Sequence, residues 1–197
     1  MKQITPSEMK AVLEIVKNPT VEYNANSLAK VIGITSMGTL KTLKCLEQEG
    51  ILKSKKVGNA RIYRLNVEQR YARQYVALLL SREPLHASSF VKRWVEEIKR
   101  LHHAEVIVLF GSVLHKDTPK DIDVLLLVDK KNFSILEKEV SELNRINVKK
   151  IHPMYQTWSD LLANIQKRDK PLLNALKGMV VAGEEKFIEL YNESRKE

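Results

Sequence analysis

The segment between residues 106 and 128 constrains this chain more than any other. Val106-Ile107-Val108-Leu109-Phe110 is a continuous apolar run, the pattern of a strand buried on both faces. It stops at Gly111-Ser112. Eight residues further on, Asp121-Ile122-Asp123 opens a second apolar run, Val124-Leu125-Leu126-Leu127-Val128. Residues i and i+2 of a strand share a face, so Asp121 and Asp123 stand side by side. Two like charges at that spacing repel, and a buried strand cannot leave them unpaired without cost. A divalent cation removes the conflict, and hard oxygen donors suit Mg²⁺. Gly111 keeps the backbone open to a ligand, while Ser112 and the N–H groups after it can hold phosphate oxygens. One strand end offers a phosphate cradle and the next offers metal ligands, the outline of metal-assisted phosphoryl or nucleotidyl transfer.

The rest of the chain sets the frame. It has 197 residues, 44% hydrophobic and 29% charged, enough to bury a core. Seven glycines and six prolines are few, which favours helices over a loop-rich β scaffold. Cys45 is the single cysteine, so an internal disulfide framework and a cysteine zinc cage are excluded. His102, His103, His115 and His152 match no zinc spacing, and Cys45 is expected to be an ordinary thiol. No apolar run approaches the roughly 20 residues of a membrane span, and the first residues lack the apolar stretch of a signal peptide. A soluble, cytoplasmic protein without membrane partners is the expectation.

The net charge is +9, and residues 1–66 carry +6 of it. That asymmetry points to a polyanion for the N-terminal part. Met9, Val12, Leu13 and Val16 predict a helix ended by Asn18-Pro19. Leu28, Val31 and Ile32 predict a short one stopped by Gly33. A third starts at Thr35-Ser36, runs to about Gln48 with Leu40, Leu43 and Leu46 inward, and is closed by Gly50. Residues 51–57 and 60–65 then read as strands around the hairpin turn Gly58-Asn59. On the third helix, Gly38, Lys41 and Thr42 lie opposite the leucine stripe with Lys44 at its flank. Together with Ser36 they form a small, cationic, hydroxylic face fit for a major groove. Lys53, Lys55, Lys56 and Arg61 load the hairpin for phosphate contact.

The stretches 28–34 and 46–52, ending in Leu46-Glu47-Gln48-Glu49-Gly50-Ile51, resemble winged helix-turn-helix transcriptional regulators of bacteria and archaea. The resemblance implies a domain over residues 1–66 that binds double-stranded DNA. Residues 67–103 follow as helices, with Tyr71, Tyr75, Leu78 and Leu79 in one stripe and Phe90, Val91, Trp94, Val95, Ile98 and Leu101 in another, broken at Arg82-Glu83-Pro84. They are expected to link the domains and to pair two copies into a homodimer.

Phe110-Gly111-Ser112 followed by Asp121-Ile122-Asp123 resembles the signature of the DNA polymerase beta-like nucleotidyltransferase superfamily, in its minimal branch. The ending Lys177-Gly178-Met179-Val180-Val181-Ala182-Gly183-Glu184-Glu185-Lys186-Phe187 is similar to that of archaeal and bacterial members. The resemblance implies that Gly111 and Ser112 bind a nucleoside triphosphate, and that Asp121 and Asp123 are the catalytic pair that holds Mg²⁺. The expected class is α+β: a winged helix-turn-helix, the helical linker, and over residues 104–197 a nucleotidyltransferase-like mixed sheet with helices. Two departures stand out. The loop Val113–Lys120 has no glycine, and the strand expected within Ile146–Tyr155 has no Asp or Glu where the superfamily places a third carboxylate, the natural general base. The residues therefore leave open three versions of a DNA-binding regulator. Its second domain binds nucleotide and Mg²⁺, with or without transfer of a nucleotidyl group to a hydroxyl; or it is an active transferase that modifies a partner protein, as in toxin–antitoxin pairs; or it is a catalytically silent assembly module.

Overall fold

Local capping signals set the helix ends in the first part of the chain. The structure, a computed structural model, describes residues 4–116 and 119–195, so Asp117 and Thr118 of the Val113–Lys120 loop lie outside the described residues. Helix α1 (Pro6–Lys17) starts from Thr5, whose hydroxyl accepts from the Glu8 amide while the Glu8 carboxylate accepts from the Thr5 amide. Helix α2 (Ala25–Ile32) has the same reciprocal cap in Asn24 and Ser27, and Gly33 ends it at φ 70°. Thr35 caps α3 (Ser36–Gln48), and Gly50 turns the chain at φ 73° into the antiparallel hairpin of β1 (Leu52–Val57) and β2 (Ala60–Leu65). A single bridge joins Tyr23 to Tyr63, adding a third, very short pairing beside β2.

The chain divides into two compact units, one up to Leu79 together with Arg195, the other Leu80–Ser194. In the first, α1 packs on α2, α3 and β2, and α3 packs on α2 and β1. Leu28, Leu43, Leu46, Ile51 and Leu52 are fully buried at the centre of these contacts. The inward stripe of α3 is Thr39, Leu43 and Leu46, with Leu40 only half-buried, and Val31 of α2 lies exposed. Helix α4 (Arg70–Arg82) buries Ala72, Tyr75, Val76 and Leu79, whereas Tyr71 and Leu78 are 55% and 48% exposed. The inner face of α4 thus mixes small and large residues, with Tyr71 and Leu78 outside it.

The second unit is built on a four-stranded sheet. After α5 (Ser89–Ile98) come β3 (Val106–Phe110), β4 (Ile122–Leu127), α6 (Phe133–Ile146) and β5 (Ile151–Gln156). Helices α7 (Trp158–Gln166) and α8 (Lys170–Leu176), strand β6 (Met179–Ala182) and α9 (Glu184–Glu193) complete it. The strand order is β5-β4-β3-β6; β3 runs antiparallel to both neighbours and β4 runs parallel to β5. The connection from β4 through α6 to β5 is the crossover that a parallel pair requires. Alternation divides each strand between two faces. Ile107, Leu109, Ile122, Val124, Leu126 and Ile151 join Trp94, Ile98, Leu136 and Val140 in one core. Val108, Leu125 and Leu127 therefore face the other side, where α8 packs on β3 and β4 and α9 packs on β3. All this shows an α+β chain whose segment 67–103 is shared between the two units.

Strand β5 lies at the sheet edge. The Ile122 amide donates to Lys150 O, and the Val128 amide to Gln156 O. The even-numbered residues of β5 thus face β4 with their backbone groups, and the odd-numbered ones turn theirs outward. Pro153 is among the latter. Its neighbour Ile151 donates to Asn144 Oδ1 at 2.6 Å, and Ile151 O accepts from Asn144 Nδ2 at 3.2 Å.

Candidate functional site

Gly111 and Asp123 meet at one end of this sheet. Phe110, the last residue of β3, pairs with Asp123 of β4. The chain then turns through Gly111 at φ 77° into a short 3₁₀ turn, Gly111–Leu114, that packs on β4. A Cβ at position 111 would collide with Oδ2 of Asp123. Only glycine combines that left-handed backbone with that approach. Val113 of the turn is buried in the core, which fixes the turn against the strand, while Ser112 is half-buried and Gly111 exposed.

Asp121 and Asp123 lie on the α8 side of the sheet, opposite to buried Ile122 and Val124, and both are half-buried. The expected side-by-side placement of the two carboxylates follows from this alternation. Burial pushes the Asp123 carboxyl above its ordinary value of 3.8, nearby His152 opposes the shift, and the Asp121 charge adds to it. His152 enters from β5, where the parallel register pairs it with Asp123. Its Nδ1 lies 4.0 Å from Asp121 Oδ2. Lys149 and Lys150 precede the strand, and the Lys150 ammonium donates to the carbonyls of Asn144 and Asn147 at the end of α6. Its charge is spent on the helix C-terminus rather than on the carboxylates.

The closing stretch of the unit supports the same sheet end. A Cβ on Gly178 would strike Leu109 O, Phe110 Cβ and Val108 Cγ1, and one on Gly183 would strike Glu105 O and the Val106 backbone. These two glycines let the chain before and after β6 lie directly on β3.

The second candidate surface is in the first unit. Ser36, Lys41 and Lys44 are exposed on α3, and Gly38 and Thr42 are half-buried. Gly38 has a local role: its amide donates to Thr35 Oγ1 at 3.1 Å, and a Cβ there would sit 3.0 Å from that oxygen. On the hairpin, Lys53 faces Arg64 and Lys56 faces Arg61 across the two strands. Like charges directly opposed destabilise a strand pair. Glu68 offsets Lys53 at 2.7 Å and Glu47 offsets Arg61 at 3.3 Å. Lys55 and Lys56 are exposed and make no ion pair among the described residues. Lys44, Arg61, Asn26, Asn59 and the buried Tyr63 line a groove of about 630 Å³ between α2, α3 and the hairpin.

Spacing alone gives His152 no role, since it matches no zinc pattern; the signal that places it near Asp121 is its position on the strand after the crossover helix. Sequence reasoning also did not foresee that Cys45 would lie with Glu8 and Glu49, ligand atoms within 4.8 Å of one another. Glu8 there serves the α1 cap, and the Cys45 thiol donates to Glu49 Oε1 at 3.3 Å. No helix among the described residues is long and apolar enough to cross a membrane. No protein-family model matches the chain, and neither a curated protein nor a solved structure matches it.

Proposed function

We propose that the chain is a two-domain regulator. Its first unit is a winged helix-turn-helix that binds double-stranded DNA, and its second is a nucleotidyltransferase-type domain that binds a nucleoside triphosphate with a divalent cation. The observation that carries the second half is the packing of Gly111 against Asp123 with Asp121 two residues away. The donor set fits a cation: two carboxylates on one face, one of them held off its ordinary pKa by burial. Asp121 and Asp123 would hold Mg²⁺, which when bound neutralises charge on the phosphates. Ser112 Oγ and the amides of the turn Gly111–Leu114 would donate hydrogen bonds to phosphate oxygens, with Gly111 leaving them room.

The first half rests on helix–helix–helix–hairpin order and on the exposed cations of α3 and β1. Opposed like charges on the hairpin favour a partner that supplies negative charge. Nucleotide binding without rapid transfer is the version β5 (Ile151–Gln156) favours, because it brings no third carboxylate beside Asp121 and Asp123. Modification of a partner protein stays the alternative for the same site. The test is a melting-temperature series with each common ribonucleoside triphosphate and Mg²⁺. At ligand one hundred times Kd, binding adds about 2.7 kcal/mol of stability. Asp121→Asn/Asp123→Asn should abolish the rise. No rise with any triphosphate in the wild-type protein overturns the reading of the second unit.

A further inference from the structure

The outer side of α3 is not made of cations alone, and the inference drawn from it rests on the DNA-binding reading of the first unit. We propose that Met37 sets the sequence preference of that unit by laying its thioether against the 5-methyl group of a thymine in the major groove.

The helix fixes which side chains point outward. Thr39, Leu43 and Leu46 of α3 are buried, whereas Met37, Lys41, Lys44 and Gln48 are exposed. The exposed four recur at spacings of four, three and four residues, so they form one stripe on the side away from the core. Gly38 and Thr42, expected to face outward, are half-buried at its flank. Met37 lies in the first turn, two residues after the cap Thr35. In a helix-turn-helix the first residues of the recognition helix reach base edges, so this position suits readout better than backbone contact.

The chemistry of the stripe selects the group that is read. Met37 is 76% exposed, more than any other large apolar residue described in the first unit; Val31 follows at 57%. An unbranched thioether adapts its torsions to an irregular apolar surface. The apolar group that bases display in the major groove is the thymine methyl, and it separates thymine from cytosine there. Lys41 and Lys44 follow Met37 along the stripe, and no acidic residue interrupts it. Those charges suit a polyanion, which favours duplex DNA over an apolar protein groove as the occupant. An ammonium is a compact point charge that meets a phosphate beside any base, so the lysines supply attraction and Met37 supplies choice.

The test uses the full-length protein and duplexes that it selects from a randomised library. Each thymidine of the selected site is replaced in turn by deoxyuridine, which lacks only the methyl group. Wild-type affinity should fall about fourfold at one thymine per bound copy, the effect of one buried methyl group. Met37→Ala should bind the thymine duplex at least about fourfold more weakly than wild type does. At that one position it should no longer distinguish thymine from uracil. Met37→Leu should keep part of the discrimination. Lys41→Ala should weaken binding to both duplexes and preserve the ratio between them. Circular dichroism and melting of each variant verify the fold. The inference is overturned, and the DNA-binding reading stands, if duplexes bind without sequence preference, if no thymine methyl affects wild-type affinity, or if Met37→Ala keeps the fourfold ratio. If the wild-type protein retains no duplex even at low salt, both are overturned.

Discussion

The Asp123 carboxylate occupies the space into which a side chain on Gly111 would grow. Gly111→Ala should therefore carry two penalties, a non-glycine residue at φ 77° and a collision with Oδ2. The expected loss is at least about 2 kcal/mol of unfolding free energy. In an Asp123→Ala background the collision is relieved but the backbone strain is not. Denaturant melts of the four proteins should give a positive coupling of at least about 0.5 kcal/mol. Additive losses would show that the two residues do not share that space.

Asp123 also makes stability depend on pH. Its carboxyl is raised in the folded protein, so the folded state holds the proton more tightly than the unfolded chain does. Stability is then highest below the ordinary carboxyl range and falls as pH rises from about 4 through the raised value. Asp123→Asn cannot ionise. Its stability relative to wild type should grow across that window and then level off, measured by urea melts in chelator over a pH series. A constant difference between the proteins across the series would contradict the shift.

The hairpin cations should not contribute equally to DNA binding. Lys53 is tied to Glu68 and Arg61 to Glu47, whereas Lys55 and Lys56 are exposed. Each lost phosphate contact lowers the slope of log affinity against log salt by about 0.9. Lys55→Ala and Lys56→Ala should each lower that slope, Lys53→Ala should lower it least, and replacing Lys41 as well should flatten it further. Electrophoretic or anisotropy titrations at several salt concentrations check this; an unchanged slope in the variant lacking all four lysines would sink the interface.

A homodimer is expected through α4. Tyr71 and Leu78 are seven residues apart, two helical turns, and both are about half exposed. If the first unit binds DNA as proposed, pairing two copies would match a two-fold operator. Tyr71→Ser/Leu78→Ser should shift sedimentation at tens of micromolar from dimer to monomer while leaving the melting temperature within a few degrees. A wild-type protein that sediments as a monomer, with and without DNA, would refute the pairing.

Much of this architecture was legible in the sequence because local chemistry dictated it. Thr35 caps α3, Asn18-Pro19, Gly33 and Gly50 end helices, and the apolar runs 106–110 and 124–128 became neighbouring strands, whereas the caps at Thr5 and Asn24 emerge only in the structure. The placement of Asp121 beside Asp123 needed only strand alternation. The contribution of His152 was not legible in that way. Its position depends on how the strand after α6 registers against β4, a long-range pairing that no local periodicity encodes. Half of the stripe expected on α4 is inward: Tyr75 and Leu79 are buried together with Ala72 and Val76, whereas Tyr71 and Leu78 are exposed.

The outer edge of β5 has a consequence for what this sheet can recruit. An incoming strand would look for outward amides and carbonyls at Ile151 and Pro153. Asn144 already holds both backbone groups of Ile151, and Pro153 has no amide to offer. Growth of the sheet by another chain is thereby blocked on the side nearest His152. Pro153 O and the backbone groups of Tyr155 remain outward, too short a row for a neighbouring strand to pair along the whole edge.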